Sequence, residues 1–258
     1  MNGTPVNEPS ASPGAASIAI RLGGDLVRIS APDTLLGSIE RMLVDEAVAD
    51  PASVDVEIVV DRSETIRVDG RLWESEEGLG VCDNLMYVLM RTALDREPGR
   101  LHLHAGLVAA GADSVLLAGL AGSGKSTLVA DLVAAGLRYF TDERVGVDDD
   151  LTLSALHKPI SVVSGSFEHL AGLNPALTAS GAASERIWHI PASEIVPPMP
   201  SEATASRSPS GDRPPRLVSI VFSEFRPGAP PTCEVMHPAT ATRLLLSDAL
   251  DVDRYGPG

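Results

Sequence analysis

The chain has no glutamine and only two lysines, Lys125 and Lys158, among its 258 residues. Without glutamine it can carry neither the L-S-G-G-Q signature of transport ATPases nor the water-orienting glutamine of GTPases. Arginine is its default cation, so the two ammonium groups are expected where guanidinium serves poorly; the two cations are not interchangeable at tight phosphate sites. Cysteine is scarce too. Cys82 and Cys233 are too few and too far apart for a disulfide framework or a zinc site, and two buried thiols in a reducing cytoplasm are expected.

Aromatic residues make up 3% of the chain, which leaves few platforms for stacking bases, and the net charge of -15 repels a phosphate backbone. A nucleic-acid partner is therefore not expected. No run approaches ~18 apolar residues, so no membrane span is expected. The first 16 residues have no basic start and no apolar core, unlike a secretory signal; rich in Pro, Ser, Ala and Asn, they read as a disordered leader. The acidic run Asp148-Asp149-Asp150 reads as a solvated turn.

What is present is an ordinary globular composition, 44% hydrophobic and 21% charged, with a change of pattern near residue 99. Residues 17–98 read as a small α+β unit. Ser17 to Leu22 and Asp25 to Ser30 flank a Gly23-Gly24 turn. A helix is expected from Asp33 as N-cap, with Leu35, Leu36, Ile39, Met42 and Leu43 on one face. Val54, Val56, Ile58 and Val60 alternate as a half-buried strand, and an Asp69-Gly70 turn joins two more. A second helix is expected from Val81 to Leu94.

Residues 99–258 read as the catalytic domain. Leu101 to Ala110 and Ser114 to Ala118 are strands, followed by a helix that Gly136 stops and a strand from Leu137 to Thr141. Arg144 to Val147 and Leu151 to Leu156 form a further strand pair. Residues 197–216, nearly devoid of large apolar side chains, read as a flexible loop. Leu217 to Phe222 and Thr232 to Met236 are expected strands, and Thr240 to Leu250 a closing helix.

Between the second of these strands and its helix lies Gly119-Leu120-Ala121-Gly122-Ser123-Gly124-Lys125-Ser126, a complete G-x-x-x-x-G-K-[ST] in the strand-to-helix context that gives it meaning. Gly119, Ala121, Gly122, Ser123, Gly124, Lys125, Ser126 and Thr127 would cradle the phosphates of ATP. Lys125 would bridge the β- and γ-phosphates, and Ser126 would ligate magnesium. The guanine-reading N-K-x-D is missing, because the only spare lysine lies in His157-Lys158-Pro159-Ile160.

If Gly111 to Asp113 turns a hairpin with Ala110 opposite Ser114, His104 falls opposite Leu120 and His102 opposite Gly122. A lone strand histidine is usually structural, and His102 shares that reading; His104 is better placed. A strand from Leu137 to Thr141, parallel to the one before the loop, would end at the phosphate edge. There Asp142 and Glu143 read together as a base and a metal ligand. Lys158 is expected at the phosphate site because lysine is so rare elsewhere, with Arg186 a weaker candidate of the same kind.

Leu103-His104-Ala105-Gly106, the phosphate loop, and Tyr139-Phe140-Thr141-Asp142-Glu143 together resemble the core of HPr kinase/phosphorylase and its relatives. The spacings agree: His104 lies 15 residues before Gly119, and Asp142 lies 17 after Lys125. Lys158-Pro159-Ile160-Ser161 looks like a basic-Pro-aliphatic segment of the kinase-like branch. The resemblance implies an α/β fold: a P-loop kinase domain of the phosphoenolpyruvate carboxykinase/HPr kinase type, here behind a small α+β N-terminal unit.

It further implies Asp142 as the base that takes a serine proton, Glu143 as a magnesium ligand, His104 as support for acceptor and phosphate, and Lys158 as stabiliser of the transferring group. Thr127 and Glu143 stand where the bifunctional enzymes have Glu and Asp, and the G-x-G-I-I-D segment has no counterpart. The resemblance is accordingly to stand-alone HPr kinase-like proteins, some of which accompany lasso-peptide biosynthesis and phosphorylate a serine of the precursor. The expected activity is an ATP- and magnesium-dependent serine kinase acting on a peptide or protein in the cytoplasm, as monomer or homo-oligomer. A kinase of a small hydroxylated metabolite, or a regulatory nucleotide binder without transfer, would use the same loop. The intact set of Lys125, Ser126, Asp142, Glu143 and His104 argues against loss of transfer.

Overall fold

A computed structural model of the chain describes residues 16–76, 78–97, 100–173, 187–195 and 216–250. The leader, Arg186 and all but the last residue of the 197–216 loop lie outside them. The fold is mixed α/β, with four sheets and six helices among the described residues, and no described helix is long and apolar enough to cross a membrane.

The first half builds one sheet. Strands β1 (Ala16–Leu22) and β2 (Asp25–Ala31) pair antiparallel about Gly23, whose φ of 61° only glycine adopts freely. Helix α1 (Asp33–Met42) buries Leu36, Ile39 and Met42; Pro32 rather than Asp33 is its N-cap, its carbonyl accepting the Leu35 and Leu36 N–H groups. After β3 (Ala47–Val48), β4 (Val56–Val60) runs parallel to β2 and buries Val56, Ile58 and Val60, as alternation dictates. Strands β5 (Ile66–Val68) and β6 (Arg71–Leu72) close on Asp69 and Gly70, at φ 48° and 78°, the pair of left-handed residues a tight hairpin needs. The order is β3-β1-β2-β4-β5-β6. Helix α2 (Val81–Arg96) lays Leu85, Val88 and Leu89 into the same core as Ile20, Ile29 and Ile58, and Leu156 joins it from the second half.

In the second half the expected single strand from Leu101 to Ala110 is two, β7 (Leu101–His104) and β8 (Gly106–Ala110), broken at Ala105. β8 pairs with β9 (Asp113–Ala118) with Ala110 opposite Asp113, one residue from the expected register. The two-residue loop Gly111-Ala112, with Gly111 at φ 60°, suits the strand twist better than the three-residue turn expected. That pairing ends at Gly106 opposite Leu117. His104 and His102 therefore do not face the phosphate loop across a hairpin. They pair instead with β11 (Arg144–Val147), opposite Arg144 and Gly146.

Helix α3 (Lys125–Ala134) ends at Gly136, φ 96°, as expected. Strand β10 (Arg138–Thr141) lies antiparallel to β8 and hence parallel to β9, in the order β10-β8-β9-β15, where β15 (Arg216–Phe222) runs parallel to β9. β12 (Leu153–Ala155) pairs with β11; between them Asp148 accepts the Asp150 and Thr152 N–H groups, the solvated turn expected of the acidic run. β13 (Ile160–Val163), α4 (Ser164–Leu173), β14 (Ile187–Ile190) and α5 (Ala192–Ile195) follow, then α6 (Pro238–Ser247), which opens with Pro behind a His237 N-cap. Two expectations fail near the end. Thr232 to Met236 forms no strand and is exposed along its whole length, and Cys233 in that segment is exposed rather than buried. Cys82 is half-buried, and burial pushes its thiol up to about 11.

His102 has a structural task. The fully buried Arg144 donates from Nη1 to His102 Nδ1 at 3.0 Å, so Nε2–H is left to donate to the Glu97 carbonyl at 3.1 Å. Arg144 also donates to Glu97 Oε2 at 3.3 Å, and the Ser154 hydroxyl does so at 2.8 Å. Burial alone would raise the Glu97 carboxyl, but Arg144 and Ser154 outweigh it and hold it below its ordinary value. A depressed folded value adds stability above the unfolded carboxyl value of about 4.3 and loses it as pH falls through the folded one. Glu97→Gln should therefore be less stable by about 1 kcal/mol at pH 7, discounting for partial exposure, with the gap closing below about pH 4. Urea titrations at both pH values check this; a gap independent of pH would refute the charge assignment.

Candidate functional site

The loop after β9 takes its shape from its glycines. Gly119, Gly122 and Gly124 have φ of 140°, 79° and 88°. A Cβ on Gly119 would lie 2.8 Å from Ser123 Oγ and 2.9 Å from the Ser223 carbonyl, so no other residue fits. Gly124 caps α3, whose first amide groups have no carbonyl partner within the helix and front the loop. The chain leaving β15 braces it: Ser223 N–H donates to the Ala118 carbonyl and Phe225 N–H to that of Ser123, both at 3.0 Å. Leu120, Ala121 and Gly122 form an exposed crest.

Lys125 is buried and folds back, its ammonium donating to the carbonyls of Gly119 and Leu120. Burial lowers its pKa, against the opposing pull of Asp248, Glu143 and Asp142, in that order. Ser126 is half-buried at the start of α3. The Thr127 hydroxyl is turned away to Ser166 of α4, at 2.7 Å, so Thr127 has only its backbone for a ligand.

The acid pair sits at a corner. Thr141 pairs with Leu107 and Arg144 with His104, one antiparallel ribbon that bends between sheets at Ala105-Gly106 on one side and Asp142-Glu143 on the other. Ala105 N–H donates to the Glu143 carbonyl at 3.2 Å, and the Thr141 hydroxyl accepts the Glu143 N–H at 3.2 Å. Gly106 is needed because α3 presses close: a Cβ there would come within 2.5 Å of Val129 Cγ2. Since β9 and β10 end at the same edge, the corner stands beside the phosphate loop, as expected. His104 reaches it by a different route from the one expected, through its pairing with β11. Its Nε2 is 3.4 Å from Glu143 Oε1, and both side chains are about one-third exposed, at 34% and 28%.

Lys158 lies on this corner and is buried, so it is no surface cation. Its ammonium is 2.7 Å from Asp142 Oδ1 and 3.6 Å from Glu143 Oε2, and donates to Pro159 O and Ser161 Oγ, each at 3.0 Å. Burial would lower its pKa, but Asp142 and Glu143 raise it further, so Lys158 keeps its proton. Asp142, at 1% exposure, has both oxygens engaged: Oδ1 also faces the Tyr139 hydroxyl at 3.2 Å, and Oδ2 accepts the Ser161 N–H at 3.0 Å. Burial and the adjacent Asp142 push Tyr139 well above its ordinary value, which keeps it a donor.

Sequence reasoning missed Tyr139, Ser161 and Asp248. Asp248 caps α6 and accepts the Gly119 N–H at 2.9 Å, while its carbonyl accepts the His104 N–H at 2.8 Å. Nothing local marks it. Its place depends on the return of residues 248–250 along β7, where Leu250 N–H donates to the His102 carbonyl at 2.7 Å. Tyr139 and Ser161 stood in the segments Tyr139 to Glu143 and Lys158 to Ser161 singled out in the sequence, but neither was given a role of its own.

No three His, Cys, Asp or Glu side chains among the described residues group to hold a metal by themselves. No protein-family model matches the chain, and no curated protein does.

A buried ion pair broken on one side leaves an uncompensated charge, a loss of about 3–5 kcal/mol. Lys158→Met should lose about that much in denaturant titration, whereas Lys158→Met/Asp142→Asn should recover at least half. A single variant as stable as the wild type would show that water screens the pair.

Proposed function

We propose that the chain is an ATP-dependent kinase that transfers the γ-phosphoryl group to a serine hydroxyl of a peptide or protein, with a catalytic domain of the phosphoenolpyruvate carboxykinase/HPr kinase type. The observation that carries the reading is the gathering of four features on one sheet edge: the phosphate loop with Lys125, the Asp142-Glu143 corner, Lys158 and His104.

Each group then has a task. The glycine-rich backbone and the amides opening α3 take the phosphate oxygens. Lys125 exchanges its two loop carbonyls for the β- and γ-phosphates. The half-buried Ser126 hydroxyl and the partly exposed Glu143 carboxylate would hold a magnesium ion carried with the triphosphate, an ion that needs only one or two protein oxygens. When bound, it neutralises charge on the triphosphate. Lys158 turns from Asp142 Oδ1 toward the transferring group and releases that oxygen as the base. The serine oxygen bonds to the γ-phosphorus as the bond to the β,γ-bridging oxygen breaks, the serine proton passes to Asp142, and ADP leaves. His104, beside Glu143 and open to solvent, supports the incoming acceptor.

Calorimetry should give magnesium-dependent ATP binding that Lys125→Ala weakens at least about 100-fold, consistent with loss of a charged phosphate contact. Equal affinities would sink the assignment. Asp142→Asn should bind ATP as the wild type does but transfer ~10²–10⁴-fold more slowly, the usual worth of a positioned base. The acceptor is read by mass spectrometry, as a phosphate-sized increase on serine after incubation with candidate precursor peptides. Phosphorylation of small alcohols or sugars alone would make it a metabolite kinase, and binding without any transfer a regulatory nucleotide binder.

A further inference from the structure

The ammonium of Lys158 is the start of a hydrogen-bonded chain that ends in the other half of the molecule. Its three N–H groups are spent on Asp142 Oδ1, Pro159 O and Ser161 Oγ. Ser161 Oγ thus accepts from Lys158 and has its own proton to give. The group in reach is His189 Nδ1, at 3.0 Å. Nδ1 is then an acceptor, which leaves Nε2–H to donate to Asp83 Oδ1 at 2.8 Å. Ser161 and His189 stand directly opposite each other on β13 and β14, and Asp83 lies in the first turn of α2, where its other oxygen accepts the Gly80 N–H at 3.3 Å. His189 and Asp83 are at 3% and 6% exposure, so water does not substitute for these bonds.

A second strut runs alongside. His157 Nδ1 is 2.8 Å from Glu46 Oε1, both largely buried, and the His157 ring packs edge-on to Tyr139, whose hydroxyl holds the Lys158 carbonyl at 2.8 Å. Two histidines flank the lysine segment, and each is held by a buried acid from the first half of the chain.

We propose that Asp83, His189 and Ser161 are positioning residues of the transfer site: they set where the Lys158 ammonium stands against Asp142, and so make the six-stranded N-terminal unit part of the catalytic geometry. The part played in transfer rests on the kinase reading; the positioning of Lys158 does not. Outer partners of this kind act by orienting the groups that touch the reactants, and their loss typically costs 10- to 100-fold in metal sites, a guide to the scale expected here.

The two-lysine composition makes the test direct. Protein labelled with ¹³C and ¹⁵N in the lysine side chain gives two ammonium signals, and Lys125→Arg tells which is which. His189→Gln reaches Asp83 but offers Ser161 no group at the Nδ1 position; His189→Asn places an amide oxygen near Nδ1 and still accepts from Ser161. The Lys158 signal should move in His189→Gln and stay close to wild type in His189→Asn, with Lys125 unmoved in both. Ser161→Ala, which deletes only the bridging hydroxyl, should move Lys158 as His189→Gln does, and it decides the matter if His189→Gln fails to fold. In turnover assays His189→Gln should lower kcat about 10- to 100-fold with KM for ATP within twofold, and His189→Asn should restore most of it. An unmoved Lys158 signal in both His189→Gln and Ser161→Ala would overturn the proposal, whatever the protein phosphorylates. A moved signal in a wild type that transfers no phosphate would overturn the kinase reading and leave the positioning intact.

Discussion

Burying an ammonium against a carboxylate costs several kcal/mol per ion in lost hydration, and the Lys158–Asp142 pair, 2.7 Å apart, recovers that cost through the further hydrogen bonds around both ions. Pro159 O and Ser161 Oγ take the other lysine protons and the Ser161 N–H takes Asp142 Oδ2, while the single Tyr139 proton lies between the Lys158 carbonyl at 2.8 Å and Asp142 Oδ1 at 3.2 Å. Those partners come from the end of β10 and the start of β13. The requirement for all of them at once fixes how β10 of the central sheet meets β13, and the Ser161–His189–Asp83 bonds carry that link to the first half of the chain. Such a pair adds little net stability over a hydrophobic substitute; its effect is to single out one arrangement among many of similar burial.

The same constraint explains the bent ribbon. Had β7–β8 and β10–β11 continued straight, Asp142 and Glu143 would have been ordinary strand residues pointing to opposite faces. Breaking both strands at one level puts the acid pair at the sheet edge where β9 delivers the phosphate loop, with Asp142 turned in to Lys158 and Glu143 left partly exposed. Gly106 permits the break because α3 packs where its side chain would be. Chemistry at the carboxyl ends of parallel strands is a general habit of α/β sheets, and here β9, β10 and β15 all end on that side.

Local chemistry was largely legible in the sequence. The loop glycines take the left-handed backbone their motif implies, the Asp69-Gly70 turn and the Gly136 stop stand as read, and the alternation holds from Val56 to Val60 with Val54 outside the strand; each has a mechanism that acts within a few residues. What failed were statements about distance. The hairpin register slipped by one because a two-residue loop and a three-residue loop differ only in which residue is left unpaired. His104 was matched to the right neighbourhood through the wrong strand. Residues 159–196 gave no pattern strong enough to assign, although β13 and β14 carry Ser161 and His189. Asp248 is invisible without knowing that the end of α6 returns beside β7.

Charge balance links the loop to the kind of ligand it suits. In this conformation Lys125 rests on its own loop carbonyls, and three carboxylates, Asp248, Glu143 and Asp142, act on it. A bare triphosphate would bring several negative charges toward all three. At separations near ~6 Å each pair of like charges costs roughly 1 kcal/mol in water and more where water is excluded. One lysine and a helix N-terminus, worth about half a positive charge, do not offset that. Under the proposed reading a divalent cation carried with the phosphates would, and it would convert Glu143 from an obstacle into a partner. The chain has no other lysine to spend here, and Lys158 is already committed to Asp142. Both cations of the site are thus held by the protein's own oxygens beforehand, and under the proposed kinase reading a cation-bearing nucleotide is the ligand whose arrival would release them at the least cost.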